Sequence, residues 1–329
     1  MKRIALMAAS VCLAVVSSCA AGKPRGAEAS LTVMNWNLQT FFDATFDGNE
    51  YSAFRNEKAG WTRAKYEARL DRLAEVIRTL DADVLVFEEL EKEAQLYDIA
   101  NRLSGTFNVA KRYGYACFAG DDGSSIGCAV LSRLPIGEVS VHALDIRTAG
   151  KQPRMRPLLQ VSVFCGSRKL VVFVNHWKSK SGDTDGTSAA WRRQQEDVLA
   201  RRMGGTLSAQ GGAVLACGDF NMNISEFADY TGGALSYPTN VLLRGGRGLP
   251  VYSPWYDEQG DLREPGSYYF HDEWERIDHF FLAGDAELSA FAARTDGAWA
   301  TEAGVPVGYQ VFSGKGYSDH LPLTCSIRF

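Results

Sequence analysis

Acidic, amide and histidine side chains recur where short apolar runs of this sequence end. The first apolar run ends in Asn35-Trp36-Asn37, and the next ends in Glu88-Glu89. Four later runs are followed or interrupted by the same residue types, in Asn175-His176-Trp177-Lys178-Ser179-Lys180, Gly218-Asp219-Phe220-Asn221, Asp278-His279 and Ser318-Asp319-His320. Enzymes built on sheets collect functional groups at strand ends, because strands fix the positions and loops supply the side chains.

These residue types suit the hydrolysis of a phosphate ester. A phosphodiester is anionic and repels nucleophiles, and a hard cation such as Mg²⁺ offsets that charge while binding carboxylate and phosphate oxygens. Water must then lose a proton and the leaving oxygen must be stabilised, which carboxylates, amides and histidines can do. The sequence offers many acids and no plausible nucleophilic Ser or Cys, which favours direct attack by water.

Short apolar runs alternate with helical patterns, and these elements must position the polar groups. Apolar spacing predicts helices over 62–80, 94–103 and 189–203. Strands are predicted over 31–37, 83–87, 113–118, 127–132, 158–164, 169–175, 212–217, 277–282 and 321–329. Residues 231–270, rich in Gly, Pro and Tyr, are predicted to form long loops. Many of the strands connect as hairpins, which favours an α/β (α+β) fold of mixed sheets covered by helices over a purely parallel sheet.

The ordered set of motifs resembles the endonuclease/exonuclease/phosphatase superfamily over nearly the whole chain after residue 30. The residues that carry the resemblance are Trp36-Asn37, Phe87-Glu88-Glu89-Leu90, Arg156-Pro157, Asn175 to Lys180, Gly218 to Asn221, Ile277-Asp278-His279 and Ser318-Asp319-His320. Gly-Asp-Phe-Asn alone is moderately specific, whereas the ordered set ending in Ser-Asp-His is highly specific. The resemblance implies a four-layer α/β/β/α sandwich with two packed mixed β-sheets, in agreement with the predicted strands.

The resemblance also implies a metal site. Glu89 looks like the metal-binding glutamate, and Asn37 and Asp319 are expected near the same ion, Mg²⁺ or Mn²⁺. Family members usually carry Gln or a similar residue just before this glutamate, whereas this chain carries Glu88. Strand alternation points Glu88 and Glu89 to opposite faces, but it leaves Glu88 open as an alternative ligand.

For catalysis, the resemblance implies roles for five residues. Asp219 is expected to orient or deprotonate the attacking water, and Asn221 to bind a phosphate oxygen. His320 is expected to contact the phosphate and to be oriented by Asp278, a pairing that keeps the imidazole in one tautomer and favours its charged form. His176 is expected to be the second histidine that faces the phosphate.

One motif favours nucleic acid as the substrate. The stretch that begins at Asn175 resembles the Asn-His-x-Lys-Ser-Lys segment of secreted bacterial nucleases. Asn175, Lys178 and Lys180 are therefore predicted to bind substrate, since cations just past the site would hold a polyanionic strand. Arg156, or as a weaker candidate Arg154, is expected to contact the substrate phosphate.

Net charge and fold leave other functions open. The formal net charge is −4, which argues against nucleic-acid binding through bulk positive charge, although a local cationic groove would suffice. A phospholipase-C-like sphingomyelinase and an inositol or sugar phosphate phosphatase are alternatives, since a fold does not choose among substrates. A different class of function is a lipid-anchored protein that has kept the fold, has lost catalysis and binds a partner. The chemically competent residue at every motif position argues against that class, and no protein partner is predicted.

The N-terminus predicts export. Lys2 and Arg3 precede an apolar stretch over residues 4–16, which is too short for a membrane span of roughly 20 residues. The small residues before Cys19 resemble a bacterial lipoprotein cleavage box, which implies removal of residues 1–18 and lipid on the Cys19 sulfur. A plain signal peptide cleaved nearby is the alternative.

The rest of the chain is predicted to have a simple organisation. Residues 19–30 have little apolar bulk and are predicted to form a flexible tether, and residues 31–329 to form one catalytic domain. The lipid would anchor this domain to the membrane of a bacterial cell envelope, facing the periplasm or the cell surface.

Five cysteines lie in the predicted domain, namely Cys117, Cys128, Cys165, Cys217 and Cys325. Export makes a disulfide chemically possible. Cys117 and Cys128 flank a turn rich in Gly, Asp and Ser and could pair, with buried free thiols as the alternative. No Cys-x-x-Cys spacing indicates a zinc site.

Overall fold

Two mixed β-sheets form the centre of the structure, which is a computed structural model. It describes residues 29–121, 124–144, 155–180, 186–232 and 235–329. The predicted signal peptide, residues 1–18, and the predicted lipidation site Cys19 lie outside the described residues. Among the residues described, no helix is both long enough and apolar enough to cross a membrane.

The helices and strands follow one another over the whole described chain. In chain order the strands are β1 (Ser30–Phe41), β2 (Val84–Leu90), β3 (Tyr115–Ala119), β4 (Gly127–Ser132), β5 (Ile136–His142), β6 (Leu158–Cys165), β7 (Arg168–His176), β8 (Ala213–Asp219), β9 (Ala228–Asp229), β10 (Val241–Leu243), β11 (Leu249–Val251), β12 (Tyr268–Phe270), β13 (Glu273–Glu275), β14 (Asp278–Gly284), β15 (Glu287–Ala293) and β16 (Leu323–Arg328). The α-helices are α1 (Ser52–Arg55), α2 (Arg63–Leu80), α3 (Ala94–Ser104) and α4 (Thr187–Gln210). Short 3-10 helices cover Glu57–Ala59, Val109–Lys111 and Ile224–Glu226.

Each large sheet has one parallel pair among antiparallel neighbours. The six-stranded sheet has the order β15-β16-β1-β2-β4-β3, and the five-stranded sheet has the order β14-β8-β7-β6-β5. The parallel pairs are β1 with β2 and β7 with β8. A parallel pair needs a long crossover, which contains α2 in the first sheet and α4 in the second. The carboxyl ends of β1 and β2 therefore lie side by side, as do those of β7 and β8.

The two sheets pack face to face, with helices outside them. Val86 of the first sheet and Leu215 of the second belong to one buried apolar cluster. Leu73 of α2 and Ile99 of α3 belong to a second cluster on the other face of the first sheet. Leu199 of α4 belongs to the same cluster as Val86 and Leu215. The predicted four-layer α/β/β/α sandwich is confirmed.

The longest crossover helix of the first sheet, α2, begins where the sequence predicts. The Thr62 hydroxyl caps it by accepting a hydrogen bond from the Lys65 backbone N–H at 3.4 Å. Leu70 and Ile77 recur at helical spacing on its buried face. The helix ends at Asp81, which adopts a left-handed conformation with φ 48°.

Several parts of the fold differ from the sequence prediction. Residues 231–270 are not only loops, since they contain β10 and β11, which form a small sheet with β9, and also β12. The strands β5 and β15 are not predicted at all. Both lie at sheet edges and leave several side chains exposed or half-buried, so neither carries the apolar run that marks a central strand.

The five cysteines among the described residues are free thiols. In the β3–β4 hairpin, Cys117 lies opposite Val130, and Cys128 lies opposite Ala119. Both sulfurs are buried and neither forms a disulfide. The alternative of buried free thiols is therefore the one that the structure adopts.

Candidate active site

A cavity of about 460 Å³ lies where the carboxyl ends of β1, β2, β7 and β8 meet. Eight of the predicted site residues line it, namely Glu89, Arg156, His176, Lys180, Asp219, Asn221, Asp319 and His320. Asn37 and Asp278 lie behind this lining, each 1% exposed, and contact it through hydrogen bonds. Residues from both sheets thus converge on one cavity.

Three residues of the second sheet form a regular row. In the strand ladders, Asp219 of β8 lies opposite His176 of β7 on one side and Asp278 of β14 on the other. Directly paired residues project from the same face of a sheet. Ordinary strand geometry therefore brings these three side chains together.

The turn after β8 requires glycine at its start. Gly218 has φ 134°, and a Cβ there would lie 1.9 Å from the Asn175 carbonyl oxygen, so no other residue fits without moving the strands. The Asp219 carboxylate then accepts a hydrogen bond from the Asn221 backbone N–H at 2.8 Å. Asn221 is itself left-handed, with φ 47°, and its amide donates to the Trp177 carbonyl at 3.3 Å. This turn aims both motif side chains at the cavity.

His320 and Asp278 form a buried pair. The His320 Nδ1 atom lies 2.8 Å from Asp278 Oδ2. Burial lowers the pKa of His320, but the negative charges of Asp278, Asp219 and Asp319 outweigh it and raise that pKa well above its ordinary value. The Asp278 partner therefore favours the protonated form of the His320 imidazole.

The segment from Ser318 to His320 is tied to the first sheet through its other atoms. The Ser318 hydroxyl donates to the Asn37 carbonyl at 2.6 Å and accepts from the His320 backbone N–H at 3.1 Å. The Trp36 indole N–H donates to the His320 carbonyl at 2.8 Å. The Ser of the Ser-Asp-His motif and the Trp that precedes Asn37 thus hold the last catalytic segment against β1.

Glu89 reaches the cavity because β2 bulges. It has φ 67°, and the register of β2 against β4 shifts between Glu88 and Leu90. One Glu89 oxygen accepts from the Asn37 amide at 3.3 Å, and the other accepts from the Thr40 backbone N–H at 2.5 Å. The Asn37 amide also donates to Asp219 at 2.9 Å, which links the two sheets.

Glu88 does not reach the cavity. Its side chain is fully buried, and neither carboxyl oxygen has a hydrogen-bond partner among the described residues. Burial, with the charges of Asp278 and Asp219, raises the pKa of Glu88 well above its ordinary value. The position does not fit the alternative in which Glu88 is a metal ligand.

His176 lies against Arg156. The Arg156 Nε and Nη2 atoms lie 3.1 Å and 2.6 Å from His176 Nδ1 and Nε2. Burial lowers the pKa of His176 well below its ordinary value, and the Arg156 charge lowers it further. The same imidazole lies 3.6 Å from Glu89 and 3.7 Å from Asp219. The pKa values of His176 and His320 are therefore shifted in opposite directions.

Two of the predicted substrate-binding residues do not line the cavity. Asn175 precedes the inward-facing His176 on β7, so alternation points its side chain to the opposite face. Its amide donates to the Phe173 carbonyl at 2.9 Å, and its oxygen accepts from the Trp177 indole at 3.0 Å. Lys178 is not among the lining residues either, and its backbone N–H donates to the Gln195 side chain. These contacts hold the Asn175 side chain within the fold, and its role in substrate binding stays a prediction.

Lys180 does line the cavity, but acids hold its ammonium group. Its Nζ atom lies 3.2 Å from Glu226 and 3.6 Å from Glu275, and Glu275 lines the cavity as well. The weaker candidate Arg154 lies outside the described residues.

A pair of aromatic side chains beside His320, here called the aromatic wall, lies outside the sequence motifs. It consists of Tyr268 and Phe270 on β12, whose rings stack at 6.0 Å between centroids and 23° between planes. The Tyr268 ring lies 4.8 Å from the His320 ring, and Phe270 is 52% exposed. Gln39 and Thr40 also line the cavity without having been predicted. The run of aromatic residues in an otherwise Gly- and Pro-rich region was the one available signal for the wall.

The remaining motif histidine faces away from the cavity. His279 lies 2.8 Å through Nε2 from the Met222 carbonyl oxygen. Its ring packs against Phe220, Phe227 and Phe281 at 5.0–5.2 Å between centroids. Burial lowers its pKa to about 4, so it is a neutral core residue.

The residues Asn37, Glu89 and Asp319 fit a hard divalent cation. Within the described ranges, no group of three or more His, Cys, Asp or Glu residues is placed to hold a metal. Mg²⁺, however, typically binds one or two carboxylates and completes its shell with water and substrate phosphate. Burial raises the pKa of Asp319, with a smaller contribution from Glu89, so the pair concentrates negative charge that a cation would offset.

Fold and site together define a phosphoric ester hydrolase. Glu89, Asp319 and His320, which lie on or next to strands of the first sheet, line one cavity together with His176 and Asp219 of the second sheet, whose Asp278 pairs with His320. The family model described as the Endonuclease/Exonuclease/phosphatase family matches residues 34–320, and the chain belongs to this family. Enzymes of the family generally use divalent metal ions.

Solved structures of the same fold include both eukaryotic and bacterial proteins. TDP2 from Caenorhabditis elegans is 14% identical with a TM-score of 0.59, covering 91% of this chain and 74% of its own. TDP2 from D. rerio, solved with a single-strand DNA product, is 18% identical with a TM-score of 0.56, covering 92% and 100%. A mannosyl-6-phosphatase from Bacteroides thetaiotaomicron is 16% identical with a TM-score of 0.55, covering 91% and 100%. No curated protein gives a significant match.

Proposed function

We propose that this chain is a divalent-cation-dependent phosphodiesterase that hydrolyses a nucleic acid strand, DNA or RNA. One observation carries the proposal. Oxygen donors of the first sheet and the His176, Asp219 and His320 side chains converge on a single cavity of about 460 Å³. That volume falls in the range of small-molecule sites, so one phosphate with its adjoining sugar fits there.

Asn37, Glu89 and Asp319 would hold the cation, Mg²⁺ or Mn²⁺. A bound cation supplies charge neutralisation to an anionic phosphate and to the leaving oxygen. The amide of Asn37 already contacts both Glu89 and Asp219, so this residue connects the cation ligands to the proposed base.

Asp219 would accept the proton of the attacking water. Burial raises its pKa to about 7, although the His320 charge lowers it, and a general base works best when its pKa lies near the working pH. The Asn37 amide and the Asn221 backbone N–H hold its two oxygens in place. Asn221, which lines the same cavity as Asp219, would donate a hydrogen bond to a phosphate oxygen.

Two histidines would bind the phosphate in different charge states. His320, cationic through Asp278, would attract an anionic oxygen and stabilise charge that develops in the transition state. His176, kept neutral by burial and by Arg156, would contact the phosphate without a net charge of its own. The Arg156 guanidinium, which also lines the cavity, would supply a positive charge in addition to that of His320.

A base-bearing substrate is favoured by what surrounds the phosphate position. The rings of Tyr268 and Phe270 stand beside His320, where a base adjoining the scissile phosphate could stack on them. Lys180 lies at the same cavity, where it could exchange its contacts with Glu226 and Glu275 for substrate phosphates.

The test uses the purified chain without residues 1–18. It is assayed with Mg²⁺, with Mn²⁺ and with EDTA on plasmid DNA, single-stranded DNA, RNA, sphingomyelin, mannose 6-phosphate and inositol phosphates. We expect cation-dependent cleavage of at least one nucleic acid, loss with EDTA, and loss in His320→Ala. The Lys169→Ala variant is the control, since Lys169 lies at the opposite end of β7. Cleavage of sphingomyelin or of a phosphomonoester with no cleavage of nucleic acid would overturn the substrate assignment.

We further propose that the enzyme is exported and anchored to a bacterial cell envelope by lipid on Cys19. The support is the sequence before that residue, a short basic and apolar stretch followed by small residues. Expression with a radiolabelled fatty acid should label the chain, and Cys19→Ala should abolish the label and release the protein from membranes. Equal labelling of both forms would contradict the anchor.

A further inference from the structure

Strained backbone surrounds the proposed cation ligands. Gln39, Thr40 and Glu89 have φ values of 51°, 55° and 67°, although none of them is glycine. A left-handed conformation is uncommon for such residues, and it persists only where neighbouring groups impose it. Gln39 and Thr40 follow Asn37 on β1, at the point where the register of β1 against β2 shifts.

A buried arginine holds the strained segment from the helix side. Arg69 of α2 is 2% exposed and does not line the cavity. Its guanidinium donates to three successive carbonyls, those of Leu38 at 2.6 Å, Gln39 at 2.6 Å and Thr40 at 2.9 Å. It also stacks 3.8 Å from the centroid of the Tyr309 ring. The planar fork of a guanidinium suits several convergent acceptors, which a lysine would not match.

The Gln39 side chain joins this segment to the loop that carries Asp319. Its Oε1 atom accepts from the Tyr309 backbone N–H at 2.6 Å and from the Asp319 backbone N–H at 3.1 Å. Its amide donates to the Tyr309 carbonyl at 3.3 Å. The Gln39 backbone N–H donates to the Asn37 side-chain oxygen at 2.9 Å.

Each proposed ligand is therefore fixed by the same short segment. Asn37 is held through the Gln39 backbone, Asp319 through the Gln39 side chain, and Glu89 through the Thr40 N–H at 2.5 Å. Arg69 holds the segment itself. Partners that orient metal ligands commonly matter to metal affinity by about 10- to 100-fold.

We propose that Arg69 and Gln39 are positioning residues that set the affinity of the cation site, acting through Asn37, Glu89 and Asp319. This inference rests on the proposed function. The left-handed conformation is needed for this role, because an extended strand would not turn the Thr40 N–H toward Glu89 and the Gln39 side chain toward Asp319.

The test compares matched pairs of variants. Gln39→Leu removes the side-chain hydrogen bonds at nearly constant shape, and Gln310→Leu is its control, an exposed glutamine whose side chain contacts Ser313. Arg69→Gln removes the guanidinium that holds the segment. Its control is Arg72→Gln, about one turn further along α2, where the arginine donates to the carbonyls of Gly314 and Gly316.

Mn²⁺ binding is measured without substrate by calorimetry, with the heat that Glu89→Gln abolishes defining the specific site. Circular dichroism gives the melting temperature of each metal-free variant. We expect Gln39→Leu to raise the Mn²⁺ dissociation constant at least tenfold while its metal-free melting temperature stays close to that of the wild type. The two controls should stay within twofold in dissociation constant. Excess Mn²⁺ should restore kcat in Gln39→Leu.

The outcomes separate the inference from the function on which it rests. Wild-type binding with an unchanged dissociation constant in Gln39→Leu would overturn the positioning role alone. No specific Mn²⁺ binding by the wild type would overturn the proposed cation site as well. If Arg69→Gln does not fold, Gln39→Leu decides the outcome on its own.

Discussion

The two sheets contribute to the cavity in different ways. On the second sheet, His176, Asp219 and Asp278 form a row across three regularly paired strands. On the first sheet, Glu89 comes from a bulge and is held by the Asn37 amide and by the backbone N–H of the left-handed Thr40. Regular pairing sets the half that is proposed to bind and activate the substrate, whereas irregular backbone sets the half proposed to bind the cation.

The difference indicates what each half must do. Proton transfer and phosphate binding need side chains in fixed relative positions, which a strand ladder provides for His176, Asp219 and Asp278. A cation needs oxygens that converge from several directions, which a flat ladder cannot supply because its side chains are parallel. A bulge and a strained segment redirect Glu89 toward Asn37 and Asp319.

The largest effect is expected on the regular half. Asp219→Asn should lower kcat by about 10²- to 10⁴-fold, because it removes the proposed base while keeping the shape of the side chain. The loss should persist at every Mn²⁺ concentration. Steady-state kinetics on a nucleic acid substrate across a Mn²⁺ series measures this, and recovery at high Mn²⁺ would move Asp219 into the cation half.

A loss of a different kind is expected on the irregular half. Glu89→Gln should raise the Mn²⁺ concentration needed for half-maximal activity by at least about tenfold, since a neutral amide replaces a charged ligand. Activity should recover in part at high Mn²⁺. A fall in kcat with no change in Mn²⁺ dependence would show that the two halves are not divided in this way.

The pH profile offers a third way to sharpen the comparison. Burial lowers the pKa of His320, and the Asp278 charge and hydrogen bond more than reverse this, so the wild-type pKa lies well above its ordinary value. Asp278→Asn leaves burial and removes the charge, so His320 should lose its proton at a lower pH. The alkaline limb of kcat/KM should move down by at least about one pH unit. An unmoved limb would mean that another group titrates there.

The smallest effect is expected from the replacement of Lys180, a half-exposed residue of the cavity lining. Lys180→Met should raise KM for a nucleic acid a few-fold and reduce the salt slope of binding by about one, because one phosphate contact is lost. Its ammonium group is half-exposed and already engaged by Glu226 and Glu275, which limits the effect. Lys169→Met, at the far end of β7, is the control and should change neither quantity.

The regular half is also the half that could be predicted from the sequence. Strands with ordinary side-chain alternation place His176 and Asp219 at their carboxyl ends, so a motif at the end of an apolar run is enough to find them. The same alternation, applied to the neighbour of His176, would have turned Asn175 away from the cavity. The edge strands β5 and β15 could not be found, because half-buried edges lack the apolar run of a central strand.

The irregular half could be predicted only in its ligands. Motif order predicts Glu89 and Asp319 as ligands, but it does not predict the segment that holds them. No local preference of Gln39 or Thr40 indicates a left-handed backbone, and Arg69 is one charged residue among many on an amphipathic helix. Such conformations depend on contacts between distant parts of the chain, which the sequence does not display.

The central claim is that both halves act on one phosphate beside one cation. The most direct test is anomalous diffraction at the manganese edge from crystals soaked with Mn²⁺ and inorganic phosphate. A manganese peak is expected among Asn37, Glu89 and Asp319, with phosphate density within hydrogen-bond distance of His176 and His320. Manganese bound elsewhere, or phosphate bound away from both histidines, would contradict it.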